Sequence, residues 1–152
     1  MGLKAKFNSD ALKAKFNKYS AIVESIILAN LSYLGEEAIM EARNNGDYKN
    51  ITNNLRSSTG YIIVKNGKIL QKLGFNNVGI AKYNEEGAEI GENLALKLAT
   101  EQPVDKYSLI VVAGMNYAIY VESKGYNVLT SSEELIKREL PKMVKNLNKL
   151  LN

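Results

Sequence analysis

The side chains that most often carry catalysis or bind transition metals are missing from this chain. Its 152 residues include no His, no Cys and no Trp. Zinc, copper and iron–sulfur sites are built mainly from imidazole and thiolate ligands. The composition therefore excludes such sites, as well as a disulfide framework, and we expect no cofactor, no metal and no small-molecule substrate.

Adjacent carboxylates are the remaining candidates for acid–base catalysis. They occur at Glu36-Glu37, Glu85-Glu86 and Glu133-Glu134. Neighbours in a helix point about 100° apart, so these pairs do not converge on one bond as a glycosidase pair must. Ser57-Ser58 and Ser123-Lys124 supply a hydroxyl or a hydroxyl–amine pair, but neither lies in a recognised nucleophile motif. We therefore predict that the protein is not an enzyme.

Basic residues are concentrated at the two ends of the chain. Residues 1–18 contain five lysines and one Asp, and residues 137–152 contain four lysines, one Arg and one Glu. Each end is therefore +4, and since the total is +4, the middle is −4. This pattern is compatible with nucleic acid, with an acidic neighbour or with head-to-tail self-assembly. The simplest interpretation is a solvated helix face.

A long helix is predicted over about residues 11–43. Its apolar side chains recur at spacings of four and three residues, at Leu12, Phe16, Tyr19, Val23 and Ile26. This periodicity predicts that the stripe faces the core. Ser9 or Asp10 is the expected N-cap, and Gly35 is a weak point at which the helix can kink. The preceding residues 1–10 are a candidate flexible basic arm.

The strand pattern begins with a β-hairpin. Tyr61-Ile62-Ile63-Val64 and Ile69-Leu70 flank an Asn66-Gly67 pair, which suits the two positive φ angles of a type I′ turn. Further strands are predicted from Tyr107 to Ala113 and from Gly125 to Leu129. We expect the hairpin to pair with the 107–113 strand and to bury Ile62, Val64, Ile110 and Val112.

Three more helical segments complete the pattern. Thr52 is the expected N-cap of one or two turns, and a helix from Glu85 to Ala99 places Ile90, Leu94, Ala95 and Leu98 on one side. Thr130-Ser-Ser-Glu133 is a capping-box sequence that opens the last helix. Pro141 is expected to kink or restart that helix.

These elements predict a single α+β domain over residues 1–152. The sheet is mostly antiparallel, and we expect a long N-terminal helix, a middle helix and a C-terminal helix to pack on one of its faces. The chain begins without an apolar signal-peptide core, and its apolar runs fall short of the ~20 residues that cross a bilayer. We therefore expect no membrane partner.

Two stretches resemble the signatures of the tailed-bacteriophage neck and tail-completion (head-tail joining) proteins. The first is Thr52-Asn-Asn-Leu55-Arg56-Ser57-Ser, where the family has Thr-Gly-x-Leu-Arg-x-Ser. The second runs from Val111 through Tyr117-Ala-Ile-Tyr120-Val-Glu122 to Gly125, where the family has Tyr-Ala-x-Tyr-Val-Glu-x-Gly. This chain has Asn53 in place of the family's Gly, and Lys124 adds a residue before Gly125.

The resemblance implies a structural subunit of the connector between head and tail. It implies no catalytic activity, a homo-oligomeric ring within the particle, and other neck and tail proteins as partners. Nucleic acid would then be met only as DNA passing through the connector. The location would be the virion, and the host cytoplasm before assembly. We expect a monomer or weak oligomer in isolation, with ring contacts that bury the N-terminal segment or the region of Arg56 and Glu122.

The motif residues can also be interpreted without the family. Tyr117, Tyr120 and Val121 are spaced to pin a short helical turn against the core, with Glu122 beside it. Arg56 is a candidate partner for Glu122, within the chain or in a neighbouring subunit. Because exposed charge pairs add little stability, replacing Arg56 or Glu122 with Ala is expected to leave the fold intact and to impair assembly. The plain alternative is that the tyrosines are packing residues and Arg56 is solvated.

A nucleic-acid-binding module is the alternative function. Nine tyrosines and two basic ends could supply stacking and phosphate contacts. Most of the tyrosines lie within the apolar patterns, however, and no nucleic-acid-binding motif is recognised. Salt-dependent binding to nonspecific duplex would separate the two functions.

Overall fold

Five helices and three strands make up the described part of the chain. The computed structural model describes residues 8–49, 51–79 and 85–151. In chain order the elements are α1 (Ser9–Asn44), α2 (Asn54–Ser57), β1 (Thr59–Lys65), β2 (Lys68–Leu73), α3 (Glu85–Ala99), β3 (Tyr107–Ala113), α4 (Ala118–Ser123) and α5 (Thr130–Leu151). The α+β class is confirmed. Residues 1–7 of the predicted basic arm lie outside the described residues, and its last two residues, Ser9 and Asp10, open α1.

The sheet has the order β2-β1-β3, and both strand pairs are antiparallel. The predicted hairpin is confirmed: Asn66 and Gly67 have φ angles of 53° and 71°, as a type I′ turn requires. The predicted pairing with the 107–113 strand is also confirmed, with Ile62 opposite Ile110. A β-bulge interrupts the β1–β2 register between Ile63 and Val64.

Strand β1 is buried on both faces, so the expectation that the helices pack on one face is wrong. Tyr61 and Ile63 pack with residues of α1 and with Met143 of α5. Ile62 and Val64 point the other way and pack against α3. The sequence carries the reason, because Tyr-Ile-Ile-Val is a continuous apolar run, which is typical of a strand covered on both sides.

Close backbone contacts hold α1 and α3 against the rest of the fold. Helix α1 runs through Gly35 without interruption, and a Cβ added there would lie 2.7 Å from Cγ of Tyr61. A Cβ added at Gly91 of α3 would lie 2.1 Å from the carbonyl oxygen of Ser58. Both glycines are therefore required for close packing. This explains why α1 has a glycine at position 35, where the sequence predicted a weak point.

The first half of α1 contradicts the prediction of a core-facing stripe. Every residue from Asn8 to Ile22 is exposed, and the exposed fractions of Leu12, Phe16 and Tyr19 are 61%, 72% and 69%. We call residues Ser9–Ile22 the α1 overhang. Helical spacing shows that apolar side chains line up, but it does not show that another element of the chain covers them.

The length of α5 explains why the overhang is bare. The two helices run antiparallel, since the Ser132 hydroxyl donates to the carbonyl oxygen of Ala38 (2.7 Å) and Met143 packs near Leu31. At the same rise per residue, α5 ends beside about residue 20 of α1. Among the described residues, no other element extends along the overhang.

The C-terminal part of the chain differs from the prediction in two details. Residues 125–129 form turns and bends instead of a strand. The backbone N–H groups of residues 128 and 129 donate to the Glu122 side chain. They are therefore not free to pair with another strand. Pro141 lies inside a continuous α5, so the helix does not restart there.

Candidate assembly surface

The two motif segments meet in space. Leu55 of α2 is buried with Ala118 of α4 and with Val128. A groove of about 300 Å³ lies beside this contact and is lined by Tyr48, Lys49, Ile51, Thr52, Leu55, Tyr117 and Val121. Three of the residues singled out from the sequence, Thr52, Leu55 and Tyr117, therefore share one groove.

Helix α2 is a single turn, and its start is not capped as predicted. The N-cap residue is Asn53, which has a left-handed backbone (φ 60°) and makes no side-chain cap. The Thr52 hydroxyl instead accepts a long hydrogen bond of 3.4 Å from the N–H of Asn54. Asparagine tolerates this backbone conformation, which accounts for an Asn at this position.

Ser57 is a structural residue. Its side chain is fully buried, and its hydroxyl oxygen accepts a hydrogen bond of 3.0 Å from the N–H of Val78. The hydroxyl thus ties the loop after β2 to α2. A buried hydroxyl in this role is not available to a partner protein.

Arg56 contacts an aromatic ring and not a carboxylate. Its guanidinium carbon lies 5.7 Å from the centroid of the Tyr48 ring, within the range of a cation–π contact. Burial raises the pKa of the Tyr48 hydroxyl, and a hydrogen bond with Arg56 opposes this rise. The Nε atom of Arg56 is buried and has no hydrogen-bond partner among the described residues.

Glu122 is the N-terminal cap of α5. Its carboxylate accepts hydrogen bonds from the N–H groups of Val128 (3.0 Å), Leu129 (2.8 Å) and Thr130 (3.3 Å), and from the Thr130 hydroxyl. Burial acts to raise the pKa of this carboxyl, but these hydrogen bonds outweigh it and hold the pKa below its usual value. A negative charge at a helix N-terminus is stabilising.

The Arg56–Glu122 pair is therefore not formed within the chain. Glu122 does lie beside the turn, as predicted, but four donors occupy its oxygens, while Arg56 packs on Tyr48. The predicted capping box at Thr130-Ser-Ser-Glu133 is also wrong. The Thr130 hydroxyl donates to Glu122, eight residues earlier, and it is Glu122 that caps the helix. Because Glu122 helps to hold α5, its removal is expected to destabilise the fold, contrary to the expectation from the sequence.

The two motif tyrosines do not pin the turn as predicted. Tyr117 is 38% exposed and Tyr120 is 61% exposed, and between them Ile119 is 81% exposed. The short α4 turns Ala118 inward, and it is this small residue that is buried against Leu55. We call Tyr117, Ile119 and Tyr120 the α4 patch.

Sequence reasoning missed Arg43, which joins four parts of the fold. Its guanidinium donates to the carbonyl oxygens of Arg56 (3.2 Å), Thr59 (3.0 Å) and Gly74, and to Oδ1 of Asn76 (3.1 Å). Burial lowers the pKa of Arg43. In the sequence, Arg43 is visible only as a basic residue in the last turn of a long helix. Basic residues are common at that position in any helix, so nothing marks Arg43 as special.

The basic residues near the end of α5 lie beside the middle of α1 and not beside its basic N-terminal part. Because α5 runs antiparallel to α1 and ends beside about residue 20, Lys13 and Lys15 of the α1 overhang lie beyond the reach of Lys145 and Lys149. No helix in the described part of the chain is long and apolar enough to cross a membrane. Within the same residues, no group of three or more acidic side chains is placed to hold a metal ion.

Comparisons with protein-family models, curated proteins and solved structures find no match for this chain.

Proposed function

We propose that this chain is a structural protein of virus assembly, a head-tail connector or tail-completion subunit of a tailed bacteriophage. The two sequence signatures that resemble that family support the proposal. It acts without catalysis, in the virion and in the host cytoplasm before assembly. Its partners are other neck and tail proteins and further copies of itself, and it meets DNA only as the genome passes through the connector.

One observation carries the proposal: the motif segments meet beside an exposed aromatic and aliphatic surface. Leu55 and Ala118 form the buried contact, and Ile119 and Tyr120 of the α4 patch, which follow Ala118 directly, are 81% and 61% exposed. Contiguous exposed apolar residues mark protein interaction sites, and tyrosine is enriched in them. The motif thus has an inner side that supports the fold and an outer side that can contact a neighbour.

A particle-assembly experiment tests the proposal. Ile119→Asp adds a charge to the α4 patch without touching the buried contact, so the protein should fold and the phage should yield unjoined heads and tails. Val104→Asp is the matched control, because Val104 is 70% exposed outside the patch. Electron microscopy of lysates and plaque counts give the readout, and immunoblots show whether the chain is in purified particles. Full complementation by Ile119→Asp, or absence of the chain from particles, would contradict the proposal.

A nucleic-acid-binding module is the second candidate, and the exposed lysines near the end of α5 favour it. Lys145 and Lys149 are exposed one turn apart on α5 and can follow a phosphate backbone. A gel shift with nonspecific duplex separates the candidates. A binding module binds at low micromolar concentration with a steep salt dependence that Lys145→Glu/Lys149→Glu reduces, whereas the assembly protein binds weakly or not at all.

A further inference from the structure

The α1 overhang has the chemistry of a docking helix. Leu12, Phe16 and Tyr19 form an exposed apolar stripe, and the neighbouring basic residues are Lys13, Lys15 and Lys18, against the single acidic Asp10. Helices shorter than about 12–15 residues are marginal in water. The overhang is therefore supported mainly by the buried half of α1, and its apolar stripe gains nothing from the described residues of its own chain.

The outward face of α3 has complementary chemistry. Glu86 and Glu89 are exposed and form no ion pair with any other described residue. Ile90 and Leu96, which are 37% and 36% exposed, flank these carboxylates. Lys97 is exposed in the last turn of α3, so the acidic part of the face is its N-terminal half. This half combines acidic and apolar side chains, as the overhang combines basic and apolar ones.

The overhang and the α3 face lie on opposite sides of the sheet. α1 packs on the side of Tyr61 and Ile63, whereas α3 packs on the side of Ile62 and Val64. A contact between them within one molecule would have to pass around the sheet. Between two molecules it joins unlike patches, so it is a heterologous contact, which can repeat into a ring or a filament.

We propose that the α1 overhang of one copy of this chain docks on the outward face of α3 of a second copy. The inference rests on the proposed assembly function, for which it names the self-contact. A two-fold pairing of overhangs is disfavoured, because it would bring six lysines together, two sets of Lys13, Lys15 and Lys18, and like charges in an interface are repulsive. Docking on α3 instead places these lysines against Glu86 and Glu89.

Cysteine cross-linking tests this contact directly, because the chain contains no Cys. Phe16→Cys and an affinity-tagged Ile90→Cys are mixed and oxidised, and we expect a disulfide-linked heterodimer on non-reducing gels. Lys68→Cys at the exposed hairpin turn replaces Ile90→Cys as the control and should not cross-link to Phe16→Cys. A dominant Phe16→Cys homodimer, which signals two-fold pairing, or the absence of any cross-link at high concentration, would overturn the proposal.

A charge exchange checks the same contact without a covalent bond. In light scattering, Lys15→Glu/Lys18→Glu should raise the protein concentration needed for half-association by at least about tenfold. Mixing this variant with Glu86→Lys/Glu89→Lys should return that concentration to the wild-type value. Circular dichroism confirms that each variant is folded. If the exchange does not restore association, the contact is wrong. The α4-patch experiment uses other residues, so it can still support the assembly function when this contact fails.

Discussion

The two halves of α1 share one helix and have opposite surroundings. From Leu31 to Ala42 one side of the helix is buried against β1 and α5, and Leu34 is only 3% exposed, while Tyr33 and Met40 on other sides are exposed. In the overhang the apolar side chains are equally regular, yet Leu12 is 61% exposed. Helical periodicity is thus the same in both halves, and only the presence of a covering element separates core from surface.

An apolar stripe therefore indicates that another element covers it, but it does not show which molecule supplies that element. In the buried half the partners are the chain's own sheet and α5. In the overhang α5 has already ended, and we propose that a second copy takes its place. Substitutions in each half, and at the contacts beside them, test this difference.

Matched Leu→Ala substitutions should give the largest contrast. Leu34→Ala removes a buried side chain and leaves a cavity, which typically costs 2–5 kcal/mol, roughly. Leu12→Ala deletes the same atoms at a solvent-exposed position and should change the free energy of unfolding by less than about 0.5 kcal/mol. Urea denaturation measures both. If Leu12→Ala costs as much as Leu34→Ala, the overhang is packed in the monomer and the comparison fails.

Arg43 lies at the end of the buried half, and its loss should be almost as severe. Arg43→Met removes a donor from the carbonyl oxygens of Arg56, Thr59 and Gly74, of which the Gly74 oxygen keeps the N–H of Asn76 (2.8 Å). An unsatisfied buried group costs about 1–3 kcal/mol. We expect a total of about 3 kcal/mol. Arg43→Lys should rescue little, since one ammonium cannot reproduce the planar fork.

Arg138→Met is the control for this experiment. Arg138 pairs with Glu139 on the surface of α5, and its side chain is 63% exposed, so its loss should cost under about 0.5 kcal/mol. Thermal denaturation of the three variants measures the difference. A similar loss for Arg43→Met and Arg138→Met would mean that the carbonyl contacts of Arg43 do not hold the fold together.

The sequence predicted most of the fold because its patterns are local. The Asn66-Gly67 turn, the 107–113 strand and the bounds of α3 follow from turn chemistry and periodicity, and the structure confirms each of them. The double burial of β1 was also visible in its continuous apolar run, although we expected helices on one face only. Local patterns therefore identify elements better than they identify what covers them.

The candidate site was less predictable because its contacts are long-range. Arg43 contacts Gly74, 31 residues later, and no local pattern marks such a pairing. Glu122 caps α5 from outside the helix, whereas the sequence offered a standard capping box at Thr130. Residue type shows that a carboxylate can accept hydrogen bonds, but only the three-dimensional arrangement decides which donors reach it.

Glu122 caps a helix that is packed on the body, so its removal should affect the whole protein. Glu122→Gln keeps the size of the side chain and loses the charge, and loss of a cap costs about 1 kcal/mol. Glu134→Gln, an exposed change in the first turns of the same helix, is the control and should change little. Denaturation at pH 7 measures both variants.

The pH dependence of this cap follows from the lowered pKa of Glu122. A carboxyl with a lower pKa in the folded state than in the unfolded state adds stability above the unfolded value, about 4.3. That contribution is lost as the pH falls through the folded value. The difference between wild type and Glu122→Gln should therefore shrink below about pH 4. A difference that stays constant down to pH 2 would show that the charge of Glu122 is not what caps α5.

The smallest effect on global stability is expected from the N-cap of the α1 overhang. The Asn8 side chain accepts hydrogen bonds from the N–H groups of Asp10 (3.0 Å) and Ala11 (3.2 Å), and such a cap is worth about 1 kcal/mol of local helix stability. The overhang can unfold without exposing the core, so this energy belongs to a local opening and not to global unfolding. Asn8→Ala should leave the denaturation midpoint unchanged while amide hydrogen exchange in the first turns of α1 speeds up about fivefold, the factor that corresponds to 1 kcal/mol. Exchange beyond Leu31 should not change. A midpoint that falls together with the local protection would mean that the overhang and the body unfold as one unit, and the two halves of α1 would then differ in exposure alone.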